Sequence, residues 1–573
     1  MPTKSDEIAA EQYWRDDDYY IADDSGTPRK ISREDIEEFA RRRALLIAGL
    51  IVFVTALLVR VGFNLWLGDY PIAPEMRDMY EYDQVSRAVL DGKGYTRPWA
   101  FTDDRGETVV ELRPTMFRPP GYTLSLTFAY AMTNGNPLGA RILLSTIGAT
   151  TCLLVFLVGR RVFSHKVGFL AGLLAAIYPF MWIPDGMLLP ESLYAMLVMY
   201  LIFRLFLLRE SVSAKNLILT GLSAGLIALT RTEGLVFLVL TVGFIWLSCT
   251  DWTLSRRSWT AGVVVAITLA VYSPWAWHTW STFGTLAPSS TVGTMLAGTT
   301  NRVTFYDQVY IGSWYYGGLQ SDRDTLYKIR DPRENEKTVD DIYTRVATDY
   351  LSDHLGQLPA VIGARELRAW DFWDPYVTAR IEQEWGRPMW STYAGLIFYY
   401  PALALAIYGA WRFRRNWRDL FPFYFVAGFF VVFSAFTFGT VRYRTWLEPT
   451  IVLFSTATLY GLARGGLLER SAPLREFLQR IQTSDEAPEP EAEIPDRMER
   501  ALRMREARAR LSGERGTVER ALLPEGEEFE LEIDEDEAYL DEPDYETEER
   551  SVIDEDGTIR INIKKDEHGQ DSI

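Results

Sequence analysis

The chain has 573 residues and a formal net charge of −18, with only two cysteines and four histidines. This acidic balance disfavours nucleic-acid binding, and the few Cys and His residues have no spacing typical of a zinc site or a disulfide framework. Neither a Walker loop nor a Rossmann fingerprint stands between a strand and a helix, which disfavours ATP-driven transport by this chain alone. The mean hydropathy of −0.05 hides long apolar runs between two polar ends.

The N-terminal segment is polar and mostly acidic. It contains no apolar core near Met1, which a cleavable signal peptide requires. We therefore predict an acidic cytoplasmic segment over residues 1–42, followed by a first membrane span that acts as a signal-anchor.

Apolar runs that are long enough to cross a bilayer follow one another over residues 43–464. The longest of them is interrupted by Thr-Arg-Thr-Glu at 230–233, which predicts two short spans joined by a polar hairpin. With this division, the sequence predicts an all-α polytopic membrane protein of about ten transmembrane helices. The runs lie near 44–66, 138–158, 167–183, 188–208, 216–250, 259–276, 391–411, 419–437 and 446–463.

Basic residues cluster at alternate ends of these spans. Because Lys and Arg concentrate in cytoplasmic loops, their distribution predicts a multi-pass plasma-membrane protein with both termini in the cytoplasm. The outer face then carries the loops 67–117 and 277–390, and the second either shapes an acceptor site or serves as a structural cap. The basic residues are Arg41, Arg42, Arg43, Arg160, Arg161, Lys166, Arg209, Lys215, Arg256, Arg257, Arg412, Arg414, Arg415, Arg418 and Arg464.

The C-terminal tail, 465–573, is rich in Glu and Asp and poor in aromatic residues. Such a composition predicts a largely disordered cytoplasmic segment, because it cannot bury enough apolar surface to fold. One helical piece is predicted near 495–511. We interpret the tail as a solubilising segment or as a docking site for a cytoplasmic partner.

A charged, aromatic segment follows the first span, with Asp78, Glu81 and Asp83 close together. From Glu81 to Leu90 the spacing of apolar residues predicts a short amphipathic helix on the membrane surface. Asp78 would then lie just before the N-terminus of that helix, where the dipole favours an ionised carboxylate. This carboxylate either acts as a general base or simply caps the helix.

Arg118 precedes Pro119 and Pro120, two residues that fit the first turn of a helix. The arginine would therefore lie at the depth of the lipid headgroups. There its guanidinium fork either binds a phosphate or serves as an ordinary interfacial anchor.

Further candidate residues lie at other ends of spans on the outer face. Glu191 opens the fourth span, either as a functional carboxylate or as a helix cap. Arg442 and Arg444 precede the last span against the positive-inside trend, and two arginines can bind a phosphate or a pyrophosphate. His278 lies among tryptophans typical of an interfacial belt, so its own signal is weak.

The order of these landmarks resembles the GT-C superfamily of membrane glycosyltransferases, and within it the protein mannosyltransferase-like group that includes the aminoarabinose transferases of lipid A. Residues 78–95 match D-x-x-x-Y-x-x-(I/V)-(A/S)-R followed by G-x-G-(Y/F), and residues 118–122 match (R/K)-P-P-G-(Y/H). Shorter matches are L-T-R-x-x-G at 229–234, P-W at 274–275 and R-Y-R at 442–444. No single motif is specific, so the resemblance rests on their order and spacing.

The resemblance implies transfer of a hexosyl or pentosyl group from a polyprenyl-phosphate donor to a protein, lipid or glycan acceptor on the outer face. Membrane lipids would surround the enzyme, and the reaction would invert the sugar's anomeric centre. Catalytic roles are predicted for Asp78, Glu81 and Glu191. Binding of the donor phosphate is predicted for Arg118, Arg442 and Arg444. The pocket for the acceptor and the sugar is predicted to contain Tyr82, Tyr122 and His278.

Met79 stands where several relatives carry a second acid directly after the aspartate. Neighbouring acids would suit a hard cation, so this departure favours a reaction with no metal and no other cofactor. Alternative functions are a lipid-linked glycan ligase or polymerase, and a transporter or flippase for a lipid-linked sugar. The transporter is disfavoured because the candidate charges cluster on one face and no internal repeat is visible.

Overall fold

The structure, a computed structural model, describes residues 19–22, 28–31, 33–69, 72, 78–102, 108–315, 335–384, 386–464, 551–553 and 559–561. The helical piece predicted near 495–511 and most of the two acidic ends lie outside the described residues. The domain boundaries at 42 and 464 therefore stay predictions.

Helices form most of the described chain, and the prediction of a mostly helical polytopic protein is confirmed. The first elements are β1 (Tyr19–Ala22), β2 (Pro28–Ile31), α1 (Arg33–Leu67), α2 (Asp78–Leu90), β3 (Thr96–Thr102), β4 (Thr108–Pro114), α3 (Pro120–Met132), α4 (Pro137–Val162), α5 (His165–Ile177), α6 (Pro179–Trp182), α7 (Glu191–Glu210), α8 (Ala214–Thr230), α9 (Val236–Ser248) and α10 (Leu254–Phe283). They continue with α11 (Val292–Thr299), α12 (Arg302–Tyr306), α13 (Glu336–Asp353), α14 (Leu358–Ala369), α15 (Pro375–Glu384), α16 (Met389–Phe413), α17 (Phe421–Phe436), α18 (Glu448–Arg464), β5 (Ser551–Ile553) and β6 (Ile559–Ile561).

Each predicted span coincides with a helix or with a pair of helices. Among the described residues, five helices are long and apolar enough to cross a membrane, namely α1 from Arg43 onward, α4, α7, α10 and α16. The predicted span at 167–183 is a bent pair, because α5 and the segment Pro179–Gly186 meet at 73°. Pro179 accounts for the bend, since proline cannot donate a hydrogen bond to the preceding turn. Helices α8, α9 and α17 are apolar but shorter, so the number of spans stays a prediction.

A buried ion pair holds the bent segment against the first span. The Arg60 Nε atom donates to the Asp185 Oδ2 atom at 2.6 Å, and Arg60 Nη2 donates to the Met181 carbonyl at 2.8 Å. Gly148 on α4 leaves room for the pair, because a Cβ atom there would lie 2.1 Å from Asp185 Oδ2. Charges inside a helical body are costly unless they are paired, so we interpret this contact as structural.

The two long loops between the spans pack against each other. The first loop contains α2 and an antiparallel hairpin of β3 and β4, which the sequence analysis did not predict. Glu336, the first residue of α13, joins the second loop to the first. Its carboxylate accepts from the Thr115 hydroxyl at 2.7 Å and the Met116 amide at 2.8 Å, and it pairs with the Arg97 Nε atom at 2.6 Å. The helix predicted from Glu81 to Leu90 is present as α2, but it begins at Asp78, which was expected to lie just before its N-terminus.

Strand β6 extends the hairpin of the first loop. It pairs antiparallel with β4, so that Thr108–Val110 face Ile559–Ile561, and β5 pairs with β6. This pairing places three residues of the C-terminal tail beside the loop 67–117, which is predicted to lie on the outer face. A tail in the cytoplasm, as the basic residues predict, would lie across the membrane from that loop. The pairing and the predicted topology therefore exclude each other in a membrane.

Candidate active site

A cavity of about 840 Å³ lies where the loops 67–117 and 277–390 meet the turn that precedes α18. Its volume is in the range of pockets that hold small organic ligands. The charged residues along its wall are Asp78, Glu81, Arg97, Arg118, Arg231, Glu233, Arg368, Glu382 and Arg442. Carboxylates and guanidiniums therefore line the same cavity.

Asp78 is the first residue of α2, and each of its carboxylate oxygens accepts a hydrogen bond from a different arginine. Arg118 Nη2 donates to Oδ1 at 2.6 Å, and Arg442 Nη1 donates to Oδ2 at 3.1 Å. Burial alone would raise the pKa of the Asp78 carboxyl, but the two guanidinium charges outweigh it and hold this pKa below its usual value. Asp78 is therefore ionised at neutral pH.

Glu81 lies about one helical turn from Asp78, and its pKa is shifted in the opposite direction. Arg118 Nη2 donates to Glu81 Oε2 at 3.3 Å, a longer contact than the one it makes with Asp78. Burial raises the pKa of the Glu81 carboxyl above its usual value, with the Asp78 charge adding to the rise and Arg118 opposing it. Two neighbouring carboxyls whose pKa values move in opposite directions can divide the roles of acid and base.

Arg118 reaches the cavity because the chain turns into α3 directly after it. Pro119 is extended, and Pro120 is the first residue of the helix. The Tyr95 hydroxyl donates to the Arg118 carbonyl oxygen at 2.8 Å, and the guanidinium carbon lies 5.6 Å from the centre of the Tyr82 ring. The backbone and the side chain of Arg118 are thus both held in place.

Glu191 begins α7, as predicted, and accepts hydrogen bonds from two arginines. Arg442 donates from Nη2 at 2.9 Å and Arg231 donates from Nη1 at 3.2 Å, both to Glu191 Oε1. Arg442 therefore bridges Glu191 and Asp78. Glu191 is 3% exposed, so it has little contact with the cavity and instead positions Arg231 and Arg442.

Arg231 and Glu233 complete this network, although the sequence analysis did not include them among the site residues. Helix α8 ends at Thr230, and Arg231 is extended, so its guanidinium leaves the helix and pairs with both Glu233 and Glu191. Its guanidinium carbon also lies 5.1 Å from the centre of the Tyr443 ring. The polar interruption at 230–233 could have indicated these two residues, because charges at the ends of membrane helices are often functional.

Arg444 does not reach the cavity together with Arg442, contrary to the predicted pair of phosphate-binding arginines. The turn Val441–Trp446 is a 3₁₀-helix, in which successive residues rotate by about 120°, so residues two apart point in different directions. Arg444 instead donates from Nε to Glu448 Oε1 at 2.5 Å and from Nη1 to Asp371 Oδ2 at 3.2 Å. The two buried carboxylates neutralise the charge of Arg444. Its side chain does not line the large cavity.

The three residues predicted for the pocket of the acceptor and sugar are not together. Tyr82 lines the cavity, and burial raises the pKa of its hydroxyl to about 12, so the hydroxyl stays neutral. Tyr122 is buried behind the wall, with 5.0 Å between its ring centre and that of Tyr82. His278 stacks on Trp275 and its Nε2 atom lies 3.0 Å from the Thr115 carbonyl oxygen, apart from the cavity wall.

The loop 277–390 closes the cavity from the other side. Trp314 lies after α12, Tyr343 is on α13 and Glu382 is on α15, and all three line the wall. Loop 277–390 was expected either to shape an acceptor site or to serve as a structural cap, and neither Tyr343 nor Glu382 was among the predicted site residues. They come from separate helices, and no spacing in the sequence indicates that they meet.

The groups around Asp78 do not fit a metal ion. Both Asp78 oxygens accept hydrogen bonds from arginines, and a cation placed there would be repelled by Arg118 and Arg442. Met79, the next residue, is buried and offers no oxygen. Within the described ranges, no three His, Cys, Asp or Glu side chains are grouped so that they could hold an ion.

A family of known proteins matches part of this site. The sequence model of the family described as dolichyl-phosphate-mannose-protein mannosyltransferase matches residues 117–278. That segment contains Arg118, Glu191 and Arg231, whereas Asp78 and Arg442 lie outside it. A search of curated proteins found no match.

Solved structures with a similar arrangement have low sequence identity. The oligosaccharyltransferase AglB from Archaeoglobus fulgidus, in complex with an inhibitory peptide and a dolichol-phosphate, is 14% identical, with a TM-score of 0.42 over 82% of this chain and 54% of that chain. ArnT from Cupriavidus metallidurans, bound to undecaprenyl phosphate, is 15% identical, with a TM-score of 0.36 over 73% of this chain and 78% of that chain. The S. cerevisiae protein O-mannosyltransferase Pmt1-Pmt2 complex, bound to the sugar donor, is 15% identical, with a TM-score of 0.32 over 52% of this chain and 41% of that chain. This chain spans about half the length of the archaeal protein. All three TM-scores are low, so no site or activity is transferred from these proteins.

The family match falls on the segment that contains the R-P-P-G-Y and L-T-R-x-x-G motifs. These motifs supply Arg118 and Arg231, two of the arginines that contact the cavity carboxylates. Residues 117–278 are thus similar to the mannosyltransferase family, and this segment is the part of the predicted resemblance to membrane glycosyltransferases that a family model supports.

Proposed function

We propose that the domain 43–464 transfers a sugar from a polyprenyl-phosphate donor to an acceptor on the outer face of the membrane. The observation that carries this proposal is the Asp78 carboxylate, which Arg118 and Arg442 hold by one oxygen each inside an open cavity. Arginines in such a position can exchange the carboxylate for a phosphate, because their forked donors fit both groups. The transferred group is a hexose or a pentose.

The donor phosphate binds between Arg118 and Arg442, with the sugar in the cavity and the polyprenyl chain along the apolar helices. Negative charge grows on the phosphate as the bond between its oxygen and the anomeric carbon breaks. Guanidiniums that already point at this oxygen stabilise the charge, and one such donor contributes about 2.7–4 kcal/mol in characterised enzymes. Glu191 supports the reaction by holding Arg442 and Arg231 in place.

The acceptor oxygen attacks the anomeric carbon on the face opposite the phosphate, which inverts that centre. Asp78, released when its arginines bind the phosphate, orients the acceptor hydroxyl. In the free protein the two guanidiniums lower the pKa of the Asp78 carboxyl, and this effect is lost when they bind the phosphate, so Asp78 then becomes a better proton acceptor. The proton of the acceptor therefore passes to Asp78 and from there to solvent.

The family description supports the class of donor, because it names a dolichyl-phosphate-linked sugar. The position of the charged cavity supports the site, because it lies at the ends of the apolar helices α7, α8 and α18, where a lipid headgroup would be. The identity of the sugar and of the acceptor requires an assay.

Purified full-length protein in liposomes tests the proposal with a panel of polyprenyl-phosphate hexoses and pentoses and a membrane extract as the source of acceptor. Mass spectrometry should detect release of polyprenyl phosphate from at least one donor and one added sugar on the product. Addition of a whole oligosaccharide would instead indicate a glycan ligase. Arg118→Gln should abolish release, while Arg161→Gln, at the opposite ends of the spans, should not. The proposal is wrong if the wild-type protein uses none of the donors.

A further inference from the structure

The cavity has a second polar wall that the proposed transfer does not use. Glu382 lines both the large cavity and an adjoining space of about 20 Å³, and Val441 and Arg442 are also shared by the two walls. Glu191 and Arg387 line the smaller space. A volume of this size holds one water molecule or one hydroxyl group, but not a sugar ring.

Several polar atoms around this small space have no hydrogen-bond partner within the part of the chain that the structure describes. Glu382 is 3% exposed and forms an ion pair with Arg387, whose Nη1 atom lies 3.6 Å from Glu382 Oε2, but this distance is too long for a hydrogen bond. Glu382 Oε2, Arg387 Nε and Nη2, and Glu191 Oε2 are all unpartnered. Buried polar atoms are rarely left in this state unless a ligand or a water completes them.

The chemistry of these atoms suits a hydroxyl group. Burial raises the pKa of the Glu382 carboxyl, with Arg387 and Arg442 opposing the rise, so the carboxyl gains a proton more easily than usual. A protonated carboxyl offers a donor and an acceptor, and Arg387 adds further donors. Arg387 is held by Phe180, whose ring centre lies 4.8 Å from the guanidinium carbon, and its amide donates to the Glu382 carbonyl at 3.2 Å.

We propose that Glu382 and Arg387 form a subsite that binds one hydroxyl group of the donor's sugar and thereby selects the sugar. The inference rests on the proposed function and identifies the part of the cavity that recognises the transferred group. The sugar ring lies in the large cavity with its phosphate between Arg118 and Arg442, and one hydroxyl enters the small space. A sugar without that hydroxyl leaves buried polar atoms unpaired, which is the situation that gives strong discrimination.

The test compares binding of two ligands, polyprenyl phosphate that carries the sugar transferred by the wild-type protein and polyprenyl phosphate alone. Glu382→Ala should weaken binding of the sugar-bearing donor about tenfold or more, and of the sugar-free lipid by less than about twofold. Glu382→Gln should keep most of the affinity, because an amide also offers a donor and an acceptor. Gln383→Ala is the matched control, since this exposed neighbour lies on the same helix and should change neither affinity.

Two results would overturn the inference while leaving the proposed function intact. If Glu382→Ala weakens binding of both ligands equally, Glu382 has a structural role. If binding of both ligands is unchanged, the small space holds water and does not bind the sugar. Arg387→Lys provides a second measurement if Glu382→Ala does not fold, and it should weaken only the sugar-bearing donor. A wild-type protein that uses no donor at all would instead contradict the proposed function itself, before any variant is compared.

Discussion

Arg442 and Arg444 stand two positions apart in one turn, yet they belong to two clusters with opposite properties. In the open cluster, the Asp78 and Arg118 side chains are 23% and 27% exposed, whereas the charged side chains of the sealed cluster are 1% exposed. The open cluster consists of Asp78, Arg118, Glu191, Arg231 and Arg442. The sealed cluster consists of Arg444, Asp371, Glu448, Tyr178 and Tyr399.

Both clusters contain arginine–carboxylate ion pairs, and they differ in whether a ligand in the cavity can reach the arginine. In the open cluster an arginine can exchange its carboxylate for an incoming phosphate with little change in burial. In the sealed cluster every partner is fixed: the Tyr178 hydroxyl donates to Glu448 Oε2 at 2.9 Å, and the Arg444 guanidinium carbon lies 3.7 Å from the centre of the Tyr399 ring. We infer that the open cluster serves binding and that the sealed cluster anchors α18 and the end of α14.

The largest effect is expected in the sealed cluster. Arg444→Gln leaves Asp371 and Glu448 buried without their cation, and loss of one partner of a buried pair costs about 3–5 kcal/mol. The thermal unfolding temperature in detergent should therefore fall strongly. Arg442→Gln is the matched control and should lower it much less. Similar losses of stability in the two variants would contradict the division into clusters.

In the open cluster, Asp78→Asn should reduce turnover about a hundredfold or more, because the amide cannot take the role of the ionised carboxylate. Binding of polyprenyl phosphate should be retained or become tighter, since Arg118 and Arg442 no longer face a competing anion. Turnover and lipid binding are measured on the same preparation. Asp91→Asn, at the exposed end of α2, is the control for the helix. Unchanged turnover in Asp78→Asn would remove Asp78 from the mechanism.

Arg442→Gln should weaken binding of polyprenyl phosphate about tenfold, since the phosphate loses one charged hydrogen-bond donor. Direct binding to the purified protein measures this change. Arg161→Gln, which removes a surface arginine paired with Glu210, should leave the affinity unchanged. If Arg442→Gln binds polyprenyl phosphate as tightly as the wild-type protein, the phosphate does not bind at the R-Y-R turn.

The same variant should change the dependence of activity on pH. Arg118 and Arg442 lower the pKa of Asp78, so in the wild-type protein Asp78 stays ionised as the pH falls, until the pH reaches this lowered value. Removing one guanidinium raises the pKa, so the acidic limb of the kcat/KM profile should move to higher pH in Arg442→Gln. An acidic limb at the same position in both proteins would show that ionisation of Asp78 does not limit activity.

The smallest effect on activity is expected at the strands of the tail, since a pairing of three residues contributes little by itself. A cysteine at Ser551 distinguishes the β4–β6 pairing from the predicted topology, because Cys152 and Cys249 are both buried. A membrane-impermeant maleimide should label Ser551→Cys only after the cells are permeabilised, as the distribution of Lys and Arg predicts. Labelling of intact cells would place the tail on the outer face, beside the first loop.

Much of the helical body could be predicted, because a span is a local property of the chain. Each apolar run that was predicted as a span is a helix or a pair of helices, including the division of 216–250 at Arg231. The β3–β4 hairpin was missed, since its pairing depends on contacts between Thr96–Thr102 and Thr108–Pro114 and with the second loop. The bend at Pro179 was also missed, although proline supplied a local signal.

The sequence by itself determined the helical membrane architecture and brought Asp78, Glu81, Arg118, Glu191 and Arg442 forward as candidates, because charges at the ends of apolar spans stand out locally. Tertiary structure alone decided which of them meet. It joined Arg442 to Asp78 and Glu191, separated Arg444 from them, and added Glu382 from a distant helix. The physical reason is that the direction of a side chain depends on the turn that carries it, and the partner of a charge depends on which helices pack together.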